Sequence, residues 1–208
     1  MIKISLSQLE EVRSNPHNFS QILQDATTQR YGGRSKFQVW QDGIHLYHKI
    51  NDENEAIRVL TEKMENKFIT ISRSKKELNM YLDKFDKYLI SHRNNGYYFN
   101  ASRKKISIPI YKDVSISGIV PIINMASHQG HAIIFFSKKD FDWESQIKFP
   151  LIQSYFAEKI FGCNISNIEV GIYCFETDEH HTKSYTKNEI RNALDESRNI
   201  GSIVSKTI

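Results

Sequence analysis

The segment KKISIPIYKDVSISGIVPIINMASHQGHAIIFFS, from Lys104 to Ser137, restricts the folds open to this chain more than any other stretch. Within it Ile106, Ile108 and Ile110 alternate with smaller or polar residues, the period-two pattern of a half-buried strand. Lys112 and Asp113 mark a turn, Val114 to Ile123 a second strand, NMASHQG a second turn, and His131 to Ser137 a third strand. Three strands joined by such short links predict an antiparallel meander.

Helical signals surround this block. Near the start, SLSQLEE holds two overlapping capping boxes, Ser5 with Gln8 and Ser7 with Glu10, so a helix is expected to begin there. Pro16 interrupts it, and Phe19, Ile22 and Leu23 resume the helical spacing. The Gly-Gly pair in TTQRYGGRSKFQVWQDG predicts a loop leading to a short strand around Phe37 to Trp40. Helical periodicity returns over 53–66 and over 75–92, where Leu78, Tyr81, Leu82, Phe85, Tyr88 and Leu89 share a face. After the meander, DWESQIKFPLIQSYFAEKIFG predicts a helix closed by Gly162, NIEVGIYCFET an apolar strand, and Thr186 with Glu189 a capping box opening the last helix.

The expected fold class is therefore α/β (α+β): a central mixed sheet of about four to five strands flanked by helices, with an N-terminal helical elaboration. At 208 residues the chain is expected to form a single domain, 1–95 mainly helical and 96–208 a sheet core with two flanking helices. No stretch approaches 18 apolar residues and the start has no long apolar run, so neither a membrane span nor a secretory signal is expected, and the cytoplasm is the expected location. Cys163 and Cys174 stand eleven residues apart without a C-x-x-C pair, which excludes a four-thiolate metal site and disfavours a disulfide scaffold. The net charge of +4 is unevenly spread: residues 58–105 carry 12 Lys and Arg against 5 Asp and Glu. A basic segment of this kind can meet phosphates, and solvated helix faces are the competing expectation.

Several local patterns carry a likeness to a known family. SLSQLEEVRSNPHNF is similar to an opening helix with Ser-x-Ser-x-Leu followed by Cys-Pro and an aromatic, with Pro16 and Phe19 in register and Asn15 where some members place an iron-sulfur cysteine. ISGIVPII is similar to a strand ending Gly-h-h-Asp, with Gly118 kept and Pro121 at the aspartate. GHAIIFFSKK resembles a strand ending Asp-x-Lys-Thr, with Phe136 at the carboxylate and Lys138 at the lysine, and Gln153 stands one residue out of step with Phe156 against a Gln-x-x-x-Tyr helix. Taken together with the order of elements, the chain resembles the PD-(D/E)XK nuclease superfamily, most closely its RecB- and AddB-type exonuclease domains, with degenerate catalytic motifs.

That resemblance implies a domain that has lost its chemistry. Members hold Mg²⁺ through oxygen ligands on adjacent strands, because this small hard ion binds carboxylates and water in a near-octahedral shell. Proline and phenylalanine offer no ligand, so the resemblance implies no catalytic residue and no cofactor, and Pro121 in addition removes a ladder donor and predicts a free edge or bulge. With a positive charge kept at Lys138, the resemblance implies a nucleic-acid-binding or scaffolding subunit of a DNA-processing or defence complex, DNA favoured, with a further protein partner in the assembly and no membrane. Arg103, Lys104, Lys105, Lys138 and Lys139 are the expected phosphate contacts.

Two alternatives stay open. One is an active, divergent Mg²⁺-dependent nuclease using some of Asp113, Asp140, Asp142 or Glu144 with Lys138 or Lys139; the other is a protein-binding adaptor or inhibitor. Other constellations are weaker. Asp178, Glu179, His180 and His181 are a dense set of potential metal ligands, but neighbours in sequence rarely aim at one ion, and a solvated loop is expected there. His45 and His48 beside Gly43 resemble a glycine and histidine pair on an early helix of the same family; packed or surface histidines are the competing expectation. The glycine pair flanked by Arg30, Arg34 and Lys36 lacks the ending of a P-loop. Tyr97, Tyr98 and Phe99 before Arg103 pair stacking rings with cations, as single strands favour, although strand alternation buries at least one ring.

Overall fold

The computed structural model describes residues 1–28, 35–68, 73–126 and 130–207. Among them are seven α-helices and one mixed sheet of six strands. The meander forms as its alternation requires: β2 (Tyr97–Tyr111), β3 (Val114–Ala126) and β4 (Gly130–Ser137) pair antiparallel in succession. A crossover through α6 (Lys148–Tyr155) then lays β5 (Ile168–Cys174) parallel to β4. Six further residues, Phe156–Phe161, prolong α6 as a π-helix, and Gly162 closes it at φ +60°, a left-handed conformation that glycine adopts without strain.

Two strands escape sequence reading. β1 (Ile2–Ser5) lies parallel to the first residues of β3, from Ile2 opposite Val114 to Ser5 opposite Ser117. The Ser5 and Gln8 side chains do meet, but around the turn after this strand; α1 (Leu9–Ser14) starts only at Leu9. At the far edge β6 (Glu179–Lys183) pairs with β5, where a solvated loop was expected. It is an edge strand without one fully buried residue, so the alternation that betrays a half-buried strand is missing.

The strand expected around Phe37 to Trp40 is instead the first turn of α3 (Lys36–Ile50). Ser35 and Gln38 close a capping box, the Ser35 hydroxyl accepting from Gln38 N (3.2 Å) and the Gln38 side chain from Ser35 N (2.8 Å). Aromatic and branched residues suggest a strand only locally; here the cap and the packing of Val39, Trp40 and Ile44 outweigh that preference. Gly43 lets α4 (Glu53–Phe68) come close, since a Cβ there would touch Leu60 at 3.3 Å. The glycine pair and the arginines of that loop lie outside the described residues.

Helices cover both faces of the sheet. α1, α2 (Phe19–Thr28), α6 and α7 (Lys187–Val204) pack on one face, and α3, α4 and α5 (Arg73–Asn94) on the other. Successive residues of β4 alternate between the two cores: Ile133 and Phe135 face the first, Ala132, Ile134 and Phe136 the second. α7 begins with both halves of its box, Thr186 with Glu189. None of the helices among the described residues is long and apolar enough to cross a membrane. Cys163 and Cys174 are free thiols, the second buried.

Candidate phosphate-binding cleft

The sheet is irregular at one place. β2 and β3 pair at Ser102↔Ile122 and again at Lys104↔Val120, but no ladder pair joins Arg103 and Pro121 between them. Proline has no amide hydrogen to give, and Arg103 sits at φ +53°, a left-handed conformation that costs a non-glycine residue roughly 1–2 kcal/mol. The packing of β3 changes phase here: Val120 and Ile123 contact one core, Ile122 the other. On the opposite edge of β3, β1 pairs only as far as Ser117 and β4 only from Ile122, so residues 118–121 have no strand partner on that side. The break expected from Pro121 is present.

α3 passes over this break and leaves two adjoining hollows, of about 350 and about 320 Å³, that share Asp42, His45 and Arg103. The first is completed by Lys49, Lys63 and Ser102, the second by Gln38, Gln41, Ile119 and Pro121. Arg103 is half exposed and its guanidinium donates to the Asp42 carboxylate, tying β2 to α3. His45 forms part of the wall. Among the described residues its Nδ1 is buried without a hydrogen-bond partner, and burial, reinforced by the Arg103 charge, lowers its pKa to about 4, so the ring is neutral at pH 7.

Phe136 stands behind that wall, 5.8 Å from the His45 ring centroid, 5.6 Å from Trp40 and 5.9 Å from Tyr88. It belongs to the aromatic core. Pro121 lines the cleft itself. Neither side chain supplies an oxygen, and the one carboxylate among the described residues that line the cleft, Asp42, is engaged by Arg103, so these residues do not fit the Mg²⁺ ion that intact motifs of the resembled family would hold.

Of the five expected phosphate contacts, only Arg103 lines the cleft. Lys104 and Lys105 follow it on β2, exposed on a strand whose outer edge is unpaired, and Lys138 and Lys139 are exposed beyond the end of β4, outside both hollows. Asp42, Lys49 and Lys63 were missed, as were Gln38 and Gln41. Reading the start of α3 as a strand hid the helix that spaces four of them along one side, and Lys63 comes from α4.

The acidic residues of the alternative nuclease lie outside the cleft. Asp113 sits in the β2–β3 turn, Asp140 accepts from Phe141 N (2.9 Å), Asp142 from Ser145 N (3.4 Å), and Glu144 pairs with Lys183 (3.2 Å). Among the described residues no three His, Cys, Asp or Glu converge as a metal would need. Gln153 is fully buried, reaching the Ile165 and Tyr185 carbonyls and Ser184 Oγ at 3.0–3.2 Å and accepting from Tyr185 N at 2.7 Å. It staples α6 to the chain entering α7, away from the cleft. Of the three rings at the start of β2, Tyr97 and Phe99 pack in the α3–α5 core and Tyr98 is exposed.

A third hollow, of about 570 Å³, lies between α5 and β6 and is lined by Lys87, Ser91, Asp178, His180 and His181 among others. Asp178 is held by Lys84 (2.8 Å) and Lys87 (3.5 Å). His180 turns into the core, sharing a hydrogen bond with Ser91 Oγ (2.8 Å), and burial lowers its pKa to about 3. His181 lies 3.7 Å from Glu179.

No protein-family model matches the chain, and no curated protein matches it.

Proposed function

We propose that this chain binds nucleic acid, DNA above all, through its phosphates without cutting it, as a binding or scaffolding subunit of a DNA-processing or defence assembly. The observation that carries the reading is the break between β3 and its neighbours: an arginine, a neutral histidine and two lysines surround the spot, and Pro121 and Phe136 stand where the resemblance to PD-(D/E)XK nucleases calls for metal-binding carboxylates. Support also comes from the order of the sheet, a three-strand meander followed by a crossover helix and a parallel strand, on which that resemblance rests. Arg103, Lys104 and Lys105 form a continuous basic run beside the cleft, and Lys138 and Lys139 add charge at the end of β4.

Cations that neutralise phosphates release counterions, so affinity falls steeply as salt rises. Titrating labelled DNA at several salt concentrations tests the proposal. The expected result is a linear fall of log affinity with log salt, shallower by about one unit of slope in Arg103→Ala. Absence of salt-sensitive binding to DNA and RNA removes the reading, and cleavage in Mg²⁺ or Mn²⁺ that disappears in Lys138→Ala replaces it with an enzyme.

A further inference from the structure

Resting on the reading above, we infer that the cleft under α3 receives a strand end carrying a terminal phosphomonoester, with the phosphate among Arg103, Lys49 and Lys63 and the last nucleoside against Gln38, Gln41, Ile119 and Pro121. The division follows from the two halves of the cleft. One is cationic and polar; the other combines two carboxamides with an exposed apolar surface, Ile119 being 52 % exposed beside the Pro121 ring. Carboxamides can hydrogen-bond the edge of a base, and an apolar wall suits its face. Each half lies at the small end of the volumes that ligands occupy, and together they give room for one nucleotide.

Charge selects an end over an internal linkage. Asp42 offsets one of the three cations, and Lys49 and Lys63 reach the cleft with no carboxylate partner among the described residues, leaving two positive charges. A phosphomonoester carries about −1.5 to −2 at neutral pH, whereas each backbone diester carries about −1. A monoester therefore matches the cleft more closely. Its third non-bridging oxygen also gives the three cations, which come from α3, α4 and β2, one acceptor each.

Internally labelled oligonucleotides of one sequence, ending in a 5′-phosphate, a 3′-phosphate or hydroxyls at both ends, separate the possibilities by fluorescence anisotropy. One phosphorylated form is expected to bind about tenfold tighter than the hydroxyl form, the worth of one or two charge-assisted hydrogen bonds. Which of the two it is tells the polarity of the strand. The advantage should vanish in Lys49→Ala/Lys63→Ala, while Lys104→Ala/Lys105→Ala weakens all three forms alike. Equal, salt-sensitive binding of all three overturns the end-binding inference and leaves the proposed function standing. If no form binds at any salt concentration, both fall together.

Discussion

On the side of the sheet covered by α1, α2, α6 and α7, the core is a continuous layer of isoleucine, valine and leucine with a few aromatic rings, and its one fully buried carboxamide, Gln153, has every bond it needs. On the side covered by α3, α4 and α5, the core is aromatic and threaded with histidines; among the described residues it leaves Trp40 Nε1, His45 Nδ1 and Asn124 Nδ2 buried without partners, as the first side leaves Glu10 Oε1, Gln146 Oε1 and His131 Nδ1. A buried polar group without a hydrogen bond costs free energy. The contrast teaches where each kind of selection acts. The aliphatic face holds the fold together; unpaired buried groups occur on both faces, and what sets the aromatic one apart is its buried histidines, of which His45 lines the cleft.

The largest expected difference between the faces is their response to acid. His48 shares a hydrogen bond with Tyr88 (2.8 Å), His92 with Asn124 (3.1 Å), and the His48 and His92 rings lie 4.7 Å apart. Burial lowers all three of His48, His92 and His180, the first and last to about 3. Above pH 6.5 both folded and unfolded chains hold these rings neutral, and nothing is lost. Below it the unfolded chain takes up protons that the folded chain refuses, so stability falls with pH until the folded values near 3 are reached. For His48 and His180 together the loss between pH 6.5 and 4.5 is about 5 kcal/mol, at roughly 1.4 kcal/mol per group and pH unit. Urea unfolding at pH 7, 5.5 and 4.5 measures it, and because His45 and His92 contribute in the same direction, the slope should flatten by about a quarter to a third in either His48→Gln or His180→Gln. A profile flat over this range would mean that the aromatic face is no more polar in effect than the other.

Next in size comes the aliphatic face. Phe149→Ala empties a fully buried site between Phe135 and Trp143, and a loss of about 3–5 kcal/mol is expected in urea or thermal unfolding, with no dependence on pH between 5 and 8. Gln153→Ala strands the Tyr185 amide and two carbonyls, for a loss of about 2–3 kcal/mol. DNA affinity, referred to the folded fraction, should not change in either variant. A large loss of affinity in the Phe149 variant would erase the division of labour between the faces.

The two faces also differed in how readily the sequence disclosed them. The meander, α6, β5 and α7 could be read because their signals are local: alternating isoleucines, a glycine stop after Phe161, a complete box at Thr186. β1 could not, because four residues gain strand character only from a partner more than a hundred positions away, and β6 could not because an edge strand needs no apolar alternation. On the aromatic face α4 and α5 match the periodicity over 53–66 and 75–92, and α3 was misread. Phe37, Val39 and Trp40 follow a glycine pair and suggest a strand, although the Ser35 and Gln38 signature of a helix start is present. Arg103 and Pro121 stood out from the sequence as a cation and a broken ladder, but the helix that makes a cleft of them did not. Lys104 and Lys105 carry a second meaning visible only in three dimensions: with Pro109 and bulges after Phe99 and Pro109, they blunt an edge strand that could otherwise recruit another chain.

The smallest effect on stability is expected where the effect on function is among the largest. Replacing Arg103 by glycine relieves a left-handed conformation worth roughly 1–2 kcal/mol, but glycine gives back about 0.5–1 kcal/mol in chain entropy. The half-exposed pair with Asp42 contributes at most about 1 kcal/mol. These terms nearly cancel, so Arg103→Gly should unfold within about 1 kcal/mol of the parent chain while its DNA affinity drops about tenfold at low salt. Arginine at this position is then a strained residue kept for what it binds. Were the glycine variant to lose several kcal/mol with unchanged affinity, Arg103 would belong to the machinery of folding, and the distinction between a stabilising face and a binding face would fail at the residue on which it most depends.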